Sequence, residues 1–93
     1  MNMQDVFQEA CRFGHIAVVK ALLADKRVDP TDDDNCAIRW ASYYGRIEVV
    51  KALLADKRVD PTARNNEAIR DAGWNGRTEV VKLLETSIKE LVS

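Results

Sequence analysis

VVKALLADKRVDPT runs from Val18 to Thr31 and recurs without a change from Val49 to Thr62. The offset is 31 residues, and a repeat of that size is the signature of stacked supersecondary units rather than of one irregular core. The period continues outside the identical block. NCAIRWASYYGRIEVVK starts at Asn35, and NEAIRDAGWNGRTEVVK starts 31 residues later, at Asn66. QEACRFGHIAVVK, from Gln8 to Lys20, is a degraded third copy: Ala10, Gly14, Val18, Val19 and Lys20 stand 31 before Ala41, Gly45, Val49, Val50 and Lys51. Three units, about 1–31, 32–62 and 63–93, fill the 93-residue chain as a single repeat domain.

Composition narrows the class. A net charge of -1 gives no electrostatic footprint for nucleic acid. No apolar run approaches the roughly 20 residues of a membrane span, and MNMQDVFQEA lacks the regions of a secretory signal. Two cysteines, Cys11 and Cys36, make no disulfide framework. Unpaired thiols fit a reducing, cytoplasmic setting.

Within each unit the pattern predicts two helices. The first unit reads as helices over about Met3 to Phe13 and Ile16 to Ala24, with Gly14 supplying the left-handed residue between them. Pro30 stops the second helix, and Asp29 before it is biased to extended geometry. The middle unit repeats the plan at about Cys36 to Tyr44 and Ile47 to Ala55, turning at Gly45. Asp34 or Asn35 is expected to cap its first helix, and Asn65 or Asn66 that of the third unit. The third unit turns at Gly76 after a first helix ending near Asn75. Its last helix starts near Thr78, meets no Asp-Pro stop and keeps Val81, Leu84, Ile88 and Leu91 on one face, so it extends to about Leu91.

Three exchanges between units share one sense. Trp40, Ile47 and Leu54 become Asp71, Thr78 and Glu85 one period later. A terminal unit without a following neighbour needs a polar outer surface. The exchanges therefore predict that Trp40, Ile47 and Leu54 face the third unit and that the array is capped at its C-terminal end. The N-terminal side is less polar: Glu9 stands at the Trp40 position, but Val6 and Phe7 remain apolar.

CAIRWASYYGRIEVVKALL, from Cys36 to Leu54, resembles the T-P-L-H-x-A-A-x-x-G-H-x-E-V-V-x-x-L-L pattern of the ankyrin repeat. On that resemblance Ile38 matches the core Leu, Ala41 the small stacking residue, Gly45 the turn, and Glu48-Val49-Val50 the start of the second helix. All three units carry it, the first most weakly. The implied fold is an all-α solenoid of three helix-turn-helix repeats with short loops. There are departures. Cys36-Ala37 and Glu67-Ala68 replace Thr-Pro, Arg39 and Arg70 replace His, and the shortened loops predict stubby projections.

The resemblance implies a non-enzymatic protein–protein interaction module whose contact surface is a rigid concave face of loop tips and first helices. The variable pairs before each turn glycine are Arg12-Phe13, Tyr43-Tyr44 and Trp74-Asn75, and four of these six residues are aromatic. Aromatic side chains spaced along such a face are natural interface anchors, although packing over a neighbouring helix explains them equally well. The expected contact residues are Phe13, Tyr43, Tyr44 and Trp74, flanked by Arg12, Arg39, Arg70, Asp33 and Arg64. Arg39 and Arg70, at equivalent positions, are expected either to ladder with acids of adjacent units or to face the partner. Cys11 and His15 are four apart, as in a zinc pair, but two further ligands are lacking. The acids Asp29 and Asp32 to Asp34 lack calcium-loop spacing and read as a solvated loop. A single His, no phosphate loop and no nucleophile motif argue against an enzyme. No cofactor, metal or small-molecule substrate is expected. The partner is another protein or a second copy of the chain. The flawless internal duplication also fits an engineered or idealised scaffold that forms a homodimer or other homo-oligomer through the same face, and an enzyme-inhibiting role for that face is the weaker alternative.

Overall fold

The computed structural model describes residues 2–92. It contains six helices: α1 (Met3–Phe13), α2 (Ile16–Leu23), α3 (Asp32–Tyr43), α4 (Ile47–Leu54), α5 (Ala63–Trp74) and α6 (Thr78–Val92). Each odd-numbered helix forms a hairpin with the next. α3 lies between α1 and α5, and α4 between α2 and α6, so the hairpins stack as two parallel layers. The architecture is the expected all-helical repeat array.

The turn glycines do what their spacing predicts. Gly14, Gly45 and Gly76 have φ of 77°, 71° and 68°, the left-handed region that costs other residues roughly 1–2 kcal/mol. After each, an N–H closes the turn on a carbonyl five residues back: His15 on Ala10, Arg46 on Ala41, Arg77 on Ala72. Two of these glycines also make room. A Cβ on Gly45 would lie 2.7 Å from Arg77 Cδ, and one on Gly14 would lie 2.9 Å from Arg46 Cδ, whereas one on Gly76 meets nothing within 4 Å. The arginines are there because Arg46 Nε donates to the Arg12 carbonyl at 2.9 Å and Arg77 Nε to the Tyr43 carbonyl at 3.2 Å. Each one ties the start of a second helix to the end of the preceding unit's first helix. Gly45→Ala is therefore expected to cost more than the roughly 1–2 kcal/mol of the backbone penalty alone, and Gly76→Ala only that penalty. Equal shifts of the urea midpoint would remove Arg77 from the explanation.

The helix starts differ from expectation. Asp33, Asp34 and Asn35 have φ of 56°, 52° and 61°, and Arg64, Asn65 and Asn66 have φ of 56°, 60° and 63°. Each triplet is a left-handed turn, after which the right-handed part of α3 or α5 begins at Cys36 or Glu67. Asp and Asn tolerate this region best among residues with a side chain. The expected side-chain caps do not form at α3 and α5. Asn35 is instead buried, and its Oδ1 accepts the Asp60 N–H at 2.9 Å, holding the unit's closing loop against its opening turn. Gln4, one period earlier, does the same job twice over: its Oε1 accepts the Asp29 N–H and its Nε2 donates to the Asp29 carbonyl, both at 2.8 Å.

The loops are self-bonded and short. The Asp25 carboxylate accepts from the backbone and guanidinium of Arg27, and Asp56 from those of Arg58. These bonds hold Asp25 down at about 2 and Asp56 below the usual carboxylate range. Asp29 and Asp60 likewise accept from the N–H and hydroxyl of Thr31 and Thr62.

The core follows the period. Ala10, Ala41 and Ala72 are the buried small residues at the helix stack, and Leu53, Leu84, Val28 and Val59 fill the space beneath. Phe7, expected on an apolar open end, is fully buried at the position of Ile38. The open end is Val6 and Val18, both exposed, whereas their equivalents Ala37 and Val49 are covered by the first unit. Leu54 packs on the core as predicted, and Trp40 and Ile47 line grooves shared with third-unit residues while staying partly exposed. α6 is long, but Leu91 at its end is exposed and not part of the buried stripe.

Candidate functional site

The candidate surface is built where the first helices end. Tyr43 and Tyr44 meet edge to face with centroids 4.9 Å apart. Arg12 reaches from α1 into the same region. Its guanidinium carbon lies 5.2 Å from the Phe13 ring centroid, 5.7 Å from that of Trp40 and 5.6 Å from that of Tyr44. Arg46 approaches Tyr44 at 6.0 Å. Tyr44 is thus held among two guanidiniums and a second ring, and it is only partly exposed. Phe13 and Tyr43 are 49% and 42% exposed, and Trp74 is 88% exposed. The aromatic set divides: Tyr44 packs, while Phe13, Tyr43 and Trp74 face outward.

Between α3 and α5 lies an open cleft of about 330 Å³. Trp40, Tyr43 and Tyr44 form one wall, Glu67 and Asp71 the other, and Arg12 and Arg39 border it. Two of these residues, Trp40 and Asp71, lie outside the expected contact set: the exchange pattern predicts Trp40 against the third unit, as found, but Asp71 on that unit's outer surface, whereas it is half-buried and borders the cleft with the middle unit. For Trp40 the signal was present: it is three and four residues before Tyr43 and Tyr44, a spacing that puts them on one helix face.

Arg39 is the main correction to the expected contact residues. It is 7% exposed. Its Nε and Nη2 donate to the carbonyls of Asp34 and Asp33 at 3.1 and 2.8 Å, and its Nη1 pairs with Glu67 at 2.7 Å. The planar fork thus closes the left-handed turn of its own unit and reaches the next. The ladder alternative is what forms, and little of Arg39 is exposed. The same pair holds the Glu67 carboxyl below its usual range, chiefly through the hydrogen bond from Arg39. Arg70 makes the equivalent bonds to Asn65 and Arg64 at 3.1 and 3.2 Å but stays exposed. Asp33 and Arg64 sit exposed on the two left-handed turns, the latter 3.4 Å from Glu67. Arg12, Tyr43 and Tyr44 are therefore brought together, Phe13 adjoins them through Arg12, and Trp74 stands apart at the end of α5.

The cysteines take no part in this surface. Both are buried, and burial pushes the thiols of Cys11 and Cys36 up to about 12 and about 11. A thiol held protonated in this way is a poor nucleophile. His15 lies exposed beyond the Gly14 turn, away from the buried Cys11. Among the described residues no group of three or more His, Cys, Asp or Glu side chains is placed to hold a metal ion, and no helix is long and apolar enough to cross a membrane.

The model of the family described as ankyrin repeats (3 copies) matches residues 7–90. The chain belongs to the ankyrin repeat family. No curated protein and no solved structure matches it. Ankyrin repeats generally mediate protein–protein interaction and are typically non-enzymatic. Within the ankyrin pattern this chain's peculiarity is the arginine at the usual His position. That arginine and the left-handed turn it closes occur together in the second and third repeats.

Proposed function

We propose that this ankyrin array binds another protein stoichiometrically and without catalysis through the face that carries Phe13, Tyr43 and Trp74. The observation that carries the reading is their exposure at the ends of three successive stacked helices. Exposed aromatic rings are costly to leave in water and yield much buried area for few rotatable bonds. Tyr44, which packs against Tyr43, and Arg12, which lies over Tyr44 and Phe13, support the face, with Arg70, Asp33 and Arg64 at its rim. Because the helices are ordered in advance by core and interface contacts, association costs little further entropy.

Binders selected from a displayed peptide library against the intact chain provide the test. Tyr43→Ala and Trp74→Ala are expected to weaken them by more than about 1 kcal/mol each, roughly fivefold or more in Kd, with helicity unchanged. Tyr44→Ala is expected to weaken binding similarly, but with a lower melting temperature as well, since its ring also packs inside. Binders indifferent to all three variants would place the contact surface elsewhere. Light scattering on a size-exclusion column tests the homodimer reading, which the exposure of Trp74 and of Val18 at the open end supports. A mass near twice 10.5 kDa that falls in Trp74→Ala would assign the face to a second copy.

A further inference from the structure

The residues at the α3–α5 junction can be compared with their equivalents one unit earlier. At the first junction Glu9, Arg12 and Trp40 come together: Arg12 is 3.9 Å from the Glu9 carboxylate and lies over the Trp40 ring. One period on, Trp40 stands in the place of Glu9, Tyr43 in that of Arg12, and Asp71 in that of Trp40. The second junction thus keeps a carboxylate and aromatic rings but has a tyrosine at the Arg12 position, and the two guanidiniums that border it, Arg12 and Arg39, are paired with Glu9 and Glu67 rather than with Asp71.

The charges in the cleft lead to the same residue. Arg39 and Glu67 neutralise each other at 2.7 Å. Arg12 has Glu9 and three rings. No hydrogen bond or ion pair engages the carboxylate of Asp71 among the described residues, although it is half-buried and borders the cleft. The rings beside it already show an affinity for guanidinium, as Arg12 demonstrates on Trp40 and Tyr44.

We propose that this cleft receives a basic side chain, lysine or arginine, from the bound protein, stacked against Trp40 and Tyr43 and paired with the carboxylate of Asp71. The assignment rests on the aromatic face being the binding surface, and it adds the chemistry of the partner: a basic segment. Partial desolvation by the aromatic wall strengthens such a pair relative to one on open surface. The neighbouring acids of the left-handed turn, Asp33 and Asp34, lie outside the cleft and contribute only diffuse attraction, which salt screens.

Trp74→Phe leaves Trp40 as the sole tryptophan, so fluorescence reports on the cleft directly. In that background the chain is titrated with tetra-arginine and tetra-lysine, with tetra-glutamate and tetra-glycine as controls, at 150 mM salt. The basic peptides are expected to change Trp40 emission saturably. Asp71→Asn, which is isosteric, is expected to raise their Kd at least fivefold, while Asp34→Asn changes it less than twofold. Equal responses to tetra-glutamate, equal effects of Asp71→Asn and Asp34→Asn, or no saturable response to a basic peptide would overturn the assignment. Binding lost in Tyr43→Ala but retained in Asp71→Asn would overturn it while leaving the aromatic face as the contact surface. Peptide binding indifferent to both variants would overturn the two together.

Discussion

Arg39→Ala is expected to destabilise the chain by about 2–3 kcal/mol, the upper range for losing hydrogen bonds to a charged group, because Glu67 across the pair is only partly buried. Arg39 is 7% exposed, and its loss abandons three acceptors at once: the carbonyls of Asp33 and Asp34 and the carboxylate of Glu67. It also leaves a left-handed triplet without the fork that closes it. Arg39→Lys should fall between, because an ammonium on a flexible stem cannot span two carbonyls and a carboxylate in one plane. Arg70→Ala removes the equivalent pair of carbonyl bonds at an exposed site with no carboxylate, and should cost only about 1 kcal/mol. Urea unfolding of the three variants settles the ranking, and equal losses for Arg39→Ala and Arg70→Ala would show that the inter-unit contact contributes nothing. The same pair gives an acid limb. Arg39 lowers the folded pKa of Glu67 below its ordinary 4.5. A carboxyl shifted in that direction stabilises the fold wherever it is ionised, so its contribution is complete above about pH 4.5 and disappears as pH falls through the folded value. Glu67→Gln should lower stability at neutral pH and flatten the decline below pH 4.5. The flattening should be partial, since Asp25, Asp29 and Asp56 are depressed too.

Phe7→Ala should cost about 3–5 kcal/mol, the range for deleting a fully buried phenyl ring. Phe7 has no exposed surface and is among the largest buried side chains of the described residues. Ile69, two periods later, is only partly buried, so Ile69→Ala should cost visibly less. A domain of this size has roughly 5–15 kcal/mol in all. In a linear array the damage is felt first at the nearest interface, so hydrogen exchange in Phe7→Ala should quicken in α1 and α2 before α5 and α6. Uniform loss of protection would mean that the array unfolds as one unit, and equal costs at Phe7 and Ile69 would contradict the burial account.

The period, the hairpins and their glycines were legible because each depends on residues close in sequence. Other features were not, for identifiable reasons. Asp33 to Asn35 carry a composition that serves a right-handed helix cap and a left-handed turn equally well. The turn is closed by the Arg39 fork, five and six residues downstream. Phe7 and Val6 look alike in a string of letters, but one step around a helix is about 100°, which takes Phe7 into the core and leaves Val6 outside. The aromatic residues were visible as a group. Which of them pack could not be read without knowing that Arg12, from another unit, lies among them. Leu91 keeps helical phase with Leu84 but lies at the end of α6, where it stays exposed.

The relation between Gly45 and Arg77, and between Gly14 and Arg46, works as a socket and a key. The absent side chain of one unit is the space into which the next unit's arginine fits. The middle unit owns both halves, Gly45 and Arg46, side by side. The first carries His15 where the key would be, and the third has an empty socket at Gly76. Copies of the middle unit placed in series would therefore meet one another with matched halves at every joint. The dependence runs one way: the arginine at each joint needs the glycine that makes room for it, whereas the glycine is required by its own positive φ and persists at Gly76 without an arginine.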